Sequence, residues 1–143
     1  MIFKKKIKSL KQISSNISVE ENENNLIYFS KLFNNVEYFI FFGTLLGITR
    51  EKGLIEEDDD IDFYVNLKDR SKLIDNLKNA NIEVDLTLSV NKNNHFLQIK
   101  RVVNNKVLIA DFYFYETDIE KNFIIEKWNF EGGTNDVSKY LRI

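Results

Sequence analysis

Asp58-Asp59-Asp60-Ile61-Asp62-Phe63-Tyr64-Val65-Asn66 joins a run of carboxylates to a regular apolar alternation. Successive side chains of a strand point to opposite faces. In an extended 58–64, Asp58, Asp60 and Asp62 therefore share one face while Ile61, Phe63 and Val65 point the other way, into a core. Carboxylates two residues apart on one face sit about 6.5 Å from each other and repel by roughly 2.5 kcal/mol per pair at an effective dielectric near 20. A solvated acidic loop would escape that cost, but such a loop does not usually run straight into Ile-x-Phe-x-Val. A divalent cation turns the repulsion into ligation. We therefore read 60–66 as a strand whose acidic face is built for an ion.

Immediately upstream lies Phe42-Gly43-Thr44-Leu45-Leu46-Gly47. Val36 to Phe42 is dense in β-branched and aromatic residues and too short for a helix, which predicts a buried strand ending at Gly43. Thr44 to Arg50 then predicts a short helix. A glycine at such a junction lets a phosphate approach the backbone, the helix N-terminus supplies N–H groups, and the Thr44 hydroxyl can donate a further hydrogen bond. Alone, Gly-Thr at a helix start is often only a cap. Its value lies in its company, since Arg50 and Lys52 and then the acids follow within twenty residues. A phosphate cradle plus oxygen ligands is the minimum apparatus for phosphoryl or nucleotidyl transfer.

Composition narrows the chemistry further. The 143 residues amount to about one domain, and 1–143 is read as such. Hydrophobic residues at 43% against charged residues at 29% describe an ordinary globular chain, so disorder is not its main state. With no Cys and one His there is no disulfide, no thiolate nucleophile and no zinc site built on Cys or several His. Oxygen ligands favour Mg²⁺, Mn²⁺ or Ca²⁺. A calcium-binding EF-hand loop starting at Asp58 fails at Phe63, where the turn requires Gly, and at Asp69, where Glu is required. A net charge of -2 argues against nucleic acid as a partner.

Further out, residues 1–17 carry Lys4, Lys5, Lys6, Lys8 and Lys11 between Phe3, Ile7 and Leu10, predicting a basic amphipathic helix. Such a helix either docks on the body or touches a membrane surface. Without a membrane span or a secretory signal, the expected location is cytoplasmic, with contact to the inner membrane face open to that helix. Ser18 and Glu21 fit a capping box opening a helix over about 19–34. Asp69 to Asn79 reads as a helix capped by Asp69. Ile82 to Val90 alternates, and an Asn-rich turn follows in which His95 is an exposed residue. Phe96–Val103 and Lys106–Tyr115 flank Asn104-Asn105, which suits a two-residue hairpin. The tail from Ile119 to Phe130 fits a helix or a strand. The expected fold is α+β, a mixed or antiparallel sheet of about four to five strands with helices on it.

Residues 43–62, Gly-Thr-Leu-Leu-Gly-Ile-Thr-Arg-Glu-Lys-Gly-Leu-Ile-Glu-Glu-Asp-Asp-Asp-Ile-Asp, closely resemble the signature of the LicD/fukutin-related family within the nucleotidyltransferase-fold superfamily. The resemblance is strong over 38–66 and thinner to Tyr115. It implies a nucleotidyltransferase-like mixed sheet, a phosphate motif at Gly43 and Thr44, metal-binding acids at Asp60 and Asp62, and a third acid on a later strand. Asp111, in Leu108-Ile109-Ala110-Asp111-Phe112-Tyr113, matches that third acid. Asp58 is an additional candidate ligand. The activity implied is Mg²⁺- or Mn²⁺-dependent transfer of a phosphocholine- or polyol-phosphate-like group from a CDP-activated donor to a glycan or lipid-linked glycan hydroxyl. Asp60, Asp62 and Asp111 would serve catalysis, with Arg50 and Lys52 offsetting charge on the nucleotide. A surface ion pair with neighbouring acids competes for Arg50. Tyr113, Tyr115 and Trp128 are candidates for stacking on a base, though buried aromatics explain such residues as well. The rival functions are a nucleotide-sugar glycosyltransferase with an Asp-x-Asp metal site and a non-catalytic nucleotide-binding remnant of the family.

Overall fold

The computed structural model describes residues 17–56, 58–82, 95–120, 123–128 and 137–142. The expected helix over 1–17 lies almost wholly outside these residues, as does most of the 82–90 alternation. Helix α1 (Val19–Lys31) opens on the expected capping box: the Ser18 hydroxyl accepts from the Glu21 amide at 3.1 Å, and Glu21 accepts from the Ser18 amide at 3.2 Å. Strand β1 (Tyr38–Ile40) and helix α2 (Phe42–Glu51) follow, then strand β2 (Asp60–Asn66), a 3₁₀ turn (Leu67–Asp69) and helix α3 (Arg70–Asn79). Strands β3 (Phe96–Val103), β4 (Lys106–Asp118), β5 (Phe123–Trp128) and β6 (Val137–Arg142) complete the described elements.

These strands form one mixed sheet of order β1-β2-β4-β5-β6, with β3 also on β4. Six described strands exceed the four to five expected. Strand β2 runs parallel to β4, placing Asp62 opposite Asp111, while β1–β2, β3–β4, β4–β5 and β5–β6 are antiparallel. Because β4 is long, β3 pairs with it from Lys106 to Tyr113 and β5 takes over from Tyr115 to Asp118. Asn104 and Asn105 hold φ of 51° and 63°, the pair of positive values a two-residue hairpin turn requires.

Alternation divides the sheet into two faces. Ile61, Phe63 and Val65 of β2 and Ala110, Phe112 and Phe114 of β4 are buried in a core completed by Phe29 of α1, Phe33 just beyond it, and Leu73 and Leu77 of α3. The Phe63 and Phe112 rings stack across the parallel pair at 5.4 Å, and Phe33 meets Phe63 edge-on at 4.9 Å. The acids and Tyr64, Asn66, Tyr113 and Tyr115 occupy the opposite face, which α2 adjoins.

Several expectations change. The strand expected over 36–42 spans only Tyr38–Ile40 and is half-buried rather than buried, because it is an edge strand and Phe42, at φ 48°, turns the chain out of extension. Asp69 precedes α3 but makes no side-chain cap; its carboxylate accepts the Glu37 amide at 2.9 Å instead. Within 119–130 the chain forms β5, since the far end of β4 offers it a partner. His95 is not an exposed turn residue: only 18% of its side chain is exposed, and its Nε2 lies 3.3 Å from Glu116.

At the C-terminal end of β2, Lys68 Nζ and Asn66 Nδ2 hold the Glu37 carboxylate at 2.9 and 3.3 Å. The Lys68 hydrogen bond keeps Glu37 below the usual carboxylate range. Burial pushes the Tyr115 phenol up, and the Glu37 charge beside it adds to the effect.

Candidate metal centre

The N-terminal half of β2 and the middle of β4 place three acids side by side. Asp60, Asp62 and Asp111 are 5%, 6% and 3% exposed, and each offers a carboxylate oxygen such that all three lie within 4.8 Å of one another. The parallel register makes this cluster: Asp62 stands directly opposite Asp111, and Asp60 is two residues away on the same face. At 4.8 Å two such charges repel by about 3.5 kcal/mol at an effective dielectric of 20.

The donor set fits a hard divalent cation. Oxygens ligating one Mg²⁺ are at most about 4.2 Å apart and those on one Ca²⁺ at most about 5 Å, given their usual bond lengths. The triad's oxygens, all within 4.8 Å of one another, lie inside the larger limit and close to the smaller. Asp58, Asp59 and Asp60 form a second such group, with Asp58 and Asp59 only half-buried.

Helix α2 points its N-terminus at the acids. A Cβ placed on Gly43 would lie 3.0 Å from Asp58 Oδ2 and 3.9 Å from Asp62 Oδ2, so glycine keeps the helix mouth open there. The first α-helical hydrogen bond runs from the Leu45 amide to the Phe41 carbonyl at 3.2 Å; the Gly43 and Thr44 amides have no acceptor within the helix. Thr44 is fully buried, and its Oγ1 accepts the Asp62 amide at 2.9 Å. Its observed contact thus braces the strand carrying the acids, whereas the sequence suggested donation to phosphate.

Arg50 and Lys52 are not brought to the cluster. Arg50 lies seven residues along α2 from Gly43, about 10 Å up the axis, and its exposed guanidinium pairs with Glu51 at 3.1 Å. That is the surface ion pair weighed against a nucleotide-binding role. Lys52, exposed and at φ 61°, closes α2 by donating its amide to the Gly47 carbonyl.

Aromatic rings bound the acids on the Tyr64–Tyr113 side. Tyr64 and Tyr113, each two residues beyond an acid on the same face, stack at 5.5 Å. Phe42 packs on both, at 5.6 and 5.0 Å, and Phe96 meets Tyr113 at 5.2 Å. Tyr115 is buried at 2% exposure. These contacts account for Tyr113 and Tyr115 as packing residues; the Trp128 side chain lies outside the description. A left-handed φ at a residue as large as Phe42 is costly, and the ring contacts hold it in place.

Two amides support the acids and escaped the sequence reading. Gln98 is 3% exposed and donates from Nε2 to Asp111 Oδ1 at 2.6 Å. Asn22 of α1, 1% exposed, donates to the Asp60 carbonyl at 3.0 Å and the Asp58 carbonyl at 3.4 Å, pinning the acidic segment to the core side. The available signal was an amide inside an apolar context, as in Phe96-Leu97-Gln98-Ile99.

A mixed α+β sheet in which a glycine-opened helix faces carboxylates from two parallel strands defines a nucleotidyltransferase-type domain with a candidate metal site. The chain belongs to the LicD/FKTN/FKRP family, whose nucleotidyltransferase domain matches residues 35–138. Members of that family are generally transferases. No curated protein matches the chain. Among the described residues no helix is long and apolar enough to cross a membrane.

Proposed function

We propose that the protein is a metal-dependent transferase that moves a phosphocholine- or polyol-phosphate-like group from a CDP-activated donor to a glycan hydroxyl. The observation that carries this reading is the convergence of Asp60, Asp62 and Asp111 opposite Gly43. In the reaction, the acceptor oxygen bonds to the phosphorus bearing the headgroup, the bond from that phosphorus to the bridging oxygen breaks, and CMP leaves. A divalent cation, Mg²⁺ or Mn²⁺, bound by the triad would neutralise phosphate charge and make the acceptor hydroxyl more acidic.

The chain's own residues supply the rest. Asp60 and Asp62 are the ligands, held in register by Thr44 and Asn22. Asp111 is a third ligand and takes the acceptor's proton. The Gly43 and Thr44 amides at the mouth of α2 favour the negative charge of the transferred phosphate. Aromatic packing around Tyr64 and Tyr113 keeps water from one side of the acids. The working location is the cytoplasm, with the lysine-rich first residues available for contact with an anionic membrane carrying a lipid-linked acceptor.

A thermal-unfolding titration tests the donor. With Mn²⁺ present, CTP or CDP-choline should raise the midpoint, by about 2.7 kcal/mol of stability at a hundredfold excess over the dissociation constant. UDP-glucose and ATP should do much less. A response to UDP-glucose without one to cytidine nucleotides would move the protein to nucleotide-sugar glycosyl transfer. Cytidine binding without release of CMP in the presence of glycan acceptors would make it a non-catalytic nucleotide binder.

A further inference from the structure

Gln98 stands opposite Asp111 in the β3–β4 register, and its carboxamide reaches the acid at 2.6 Å. The orientation follows from chemistry: turned over, the amide would set two oxygens against each other at that distance. While Nε2 is engaged, Oε1 is buried without a hydrogen-bond partner. Leaving such an atom unsatisfied costs about 1–3 kcal/mol, and native interiors seldom tolerate it unless water or an ion belongs there. Leu97 and Ile99, its neighbours along β3, turn to the core face, so Gln98 between them reaches the face that carries the acids.

We propose that Gln98 is a positioning residue for the ion, fixing the plane of the Asp111 carboxylate and presenting Oε1 to water held by the cation. This rests on the reading of Asp60, Asp62 and Asp111 as an ion site. Asp111 needs a donor that orients it without neutralising it, and a carboxamide is such a donor. A lysine or arginine in its place would pair with Asp111 and remove a negative charge from the triad, competing with the cation. Glutamine leaves the full charge of three carboxylates for the ion. Partners of this kind, one bond removed from a metal, typically change affinity by about 10- to 100-fold when replaced.

Mn²⁺ titrations followed by the electron paramagnetic resonance of the free ion test the assignment, alongside melting in EDTA. Gln98→Met, which takes this donor from the buried Asp111 carboxylate, is expected to melt below the native midpoint in EDTA and to bind Mn²⁺ about 10- to 100-fold more weakly. Mn²⁺ affinity within twofold of native would overturn the inference. Should Gln98→Met fail to fold, Gln98→Glu gives the second reading. A carboxylate there cannot donate to Asp111, so the Mn²⁺ affinity of this variant should differ from native by about tenfold or more. A Mn²⁺ affinity within twofold of native in this variant overturns the inference. If the native chain binds no Mn²⁺, the triad's reading falls and this inference with it; if native binds and Gln98→Met binds equally, only the role of Gln98 is lost.

Discussion

The Thr44 hydroxyl accepts the backbone amide of Asp62 at 2.9 Å in a wholly buried contact, so the first turn of α2 and the acid-bearing strand are locked together by one side chain. Thr44→Val keeps the shape and removes the acceptor. The orphaned Asp62 amide should cost about 1–3 kcal/mol, a fall in melting temperature of roughly 3–10 °C for a chain of this size. Thr44→Ser should retain most of the stability. Equal melting temperatures for Thr44→Val and the native chain would show that this bond does not brace the strand.

Charge repulsion within the triad gives Asp62→Asn opposite effects with and without metal. In EDTA the variant should unfold at a higher urea concentration than the native chain, because one of three crowded carboxylates has become neutral. With millimolar Mn²⁺ the native chain should gain stability while the variant gains almost none. A variant that loses stability in EDTA and still responds fully to Mn²⁺ contradicts the site.

Gly47 is the place where the return loop lies against α2: an added Cβ would sit 2.6 Å from the Gly53 carbonyl oxygen and 3.0 Å from Ile55. Backbone cannot yield there without displacing the loop that leads to Asp58. Gly47→Ala should therefore destabilise by about 1–3 kcal/mol and weaken Mn²⁺ binding as well. Gly53→Ala, whose Cβ would meet only Glu23 Oε1 at 3.5 Å, serves as the tolerated control. Calorimetric melting of the two variants distinguishes them.

Tyr115 sets an alkaline limit. Its phenol is pushed above its ordinary value near 10 by burial and by Glu37, so it stays protonated in the fold at pH values where an unfolded tyrosine ionises. Its contribution is complete below pH about 10 and is lost as pH rises toward the folded value. Urea midpoints measured from pH 8 to 11 should fall with pH, and Tyr115→Phe should flatten that fall while costing the hydrogen bond to Glu37 at neutral pH. Parallel profiles for the two proteins would exclude Tyr115 as the cause.

Local signals in the chain proved readable where one force dominates. Apolar alternation marks Asp60–Asn66 as a strand, Ser18 and Glu21 mark the start of α1, and Asn104-Asn105 marks a hairpin because few other residues accept two positive φ values. Partner choice was less legible. Alternation says which face of β2 is apolar but not that β4 lies parallel beside it; the pairing of Asp62 with Asp111 was expected only through a family resemblance. Phe123-Ile124-Ile125 suits either period, and the exposed end of β4 decides the matter. Arg50 looked close to the acids by sequence distance, yet it sits near the end of α2, seven residues from Gly43, and pairs with Glu51. Gln98 and Asn22 escaped notice because an isolated amide carries no pattern of its own.

Asp62 and Asp111 come from adjacent strands but are separated by just over a third of the chain. Parallel pairing over such a span is entropically costly to nucleate and tends to form late in folding. With the ion bound as proposed, a growing polypeptide on the ribosome would not capture the cation until β4 had emerged, and a partly opened molecule would surrender it once the two strands separated. Under the proposed function, metal affinity would gauge whether β2 and β4 are paired, and any activity that depends on the ion would be withheld from immature or damaged copies.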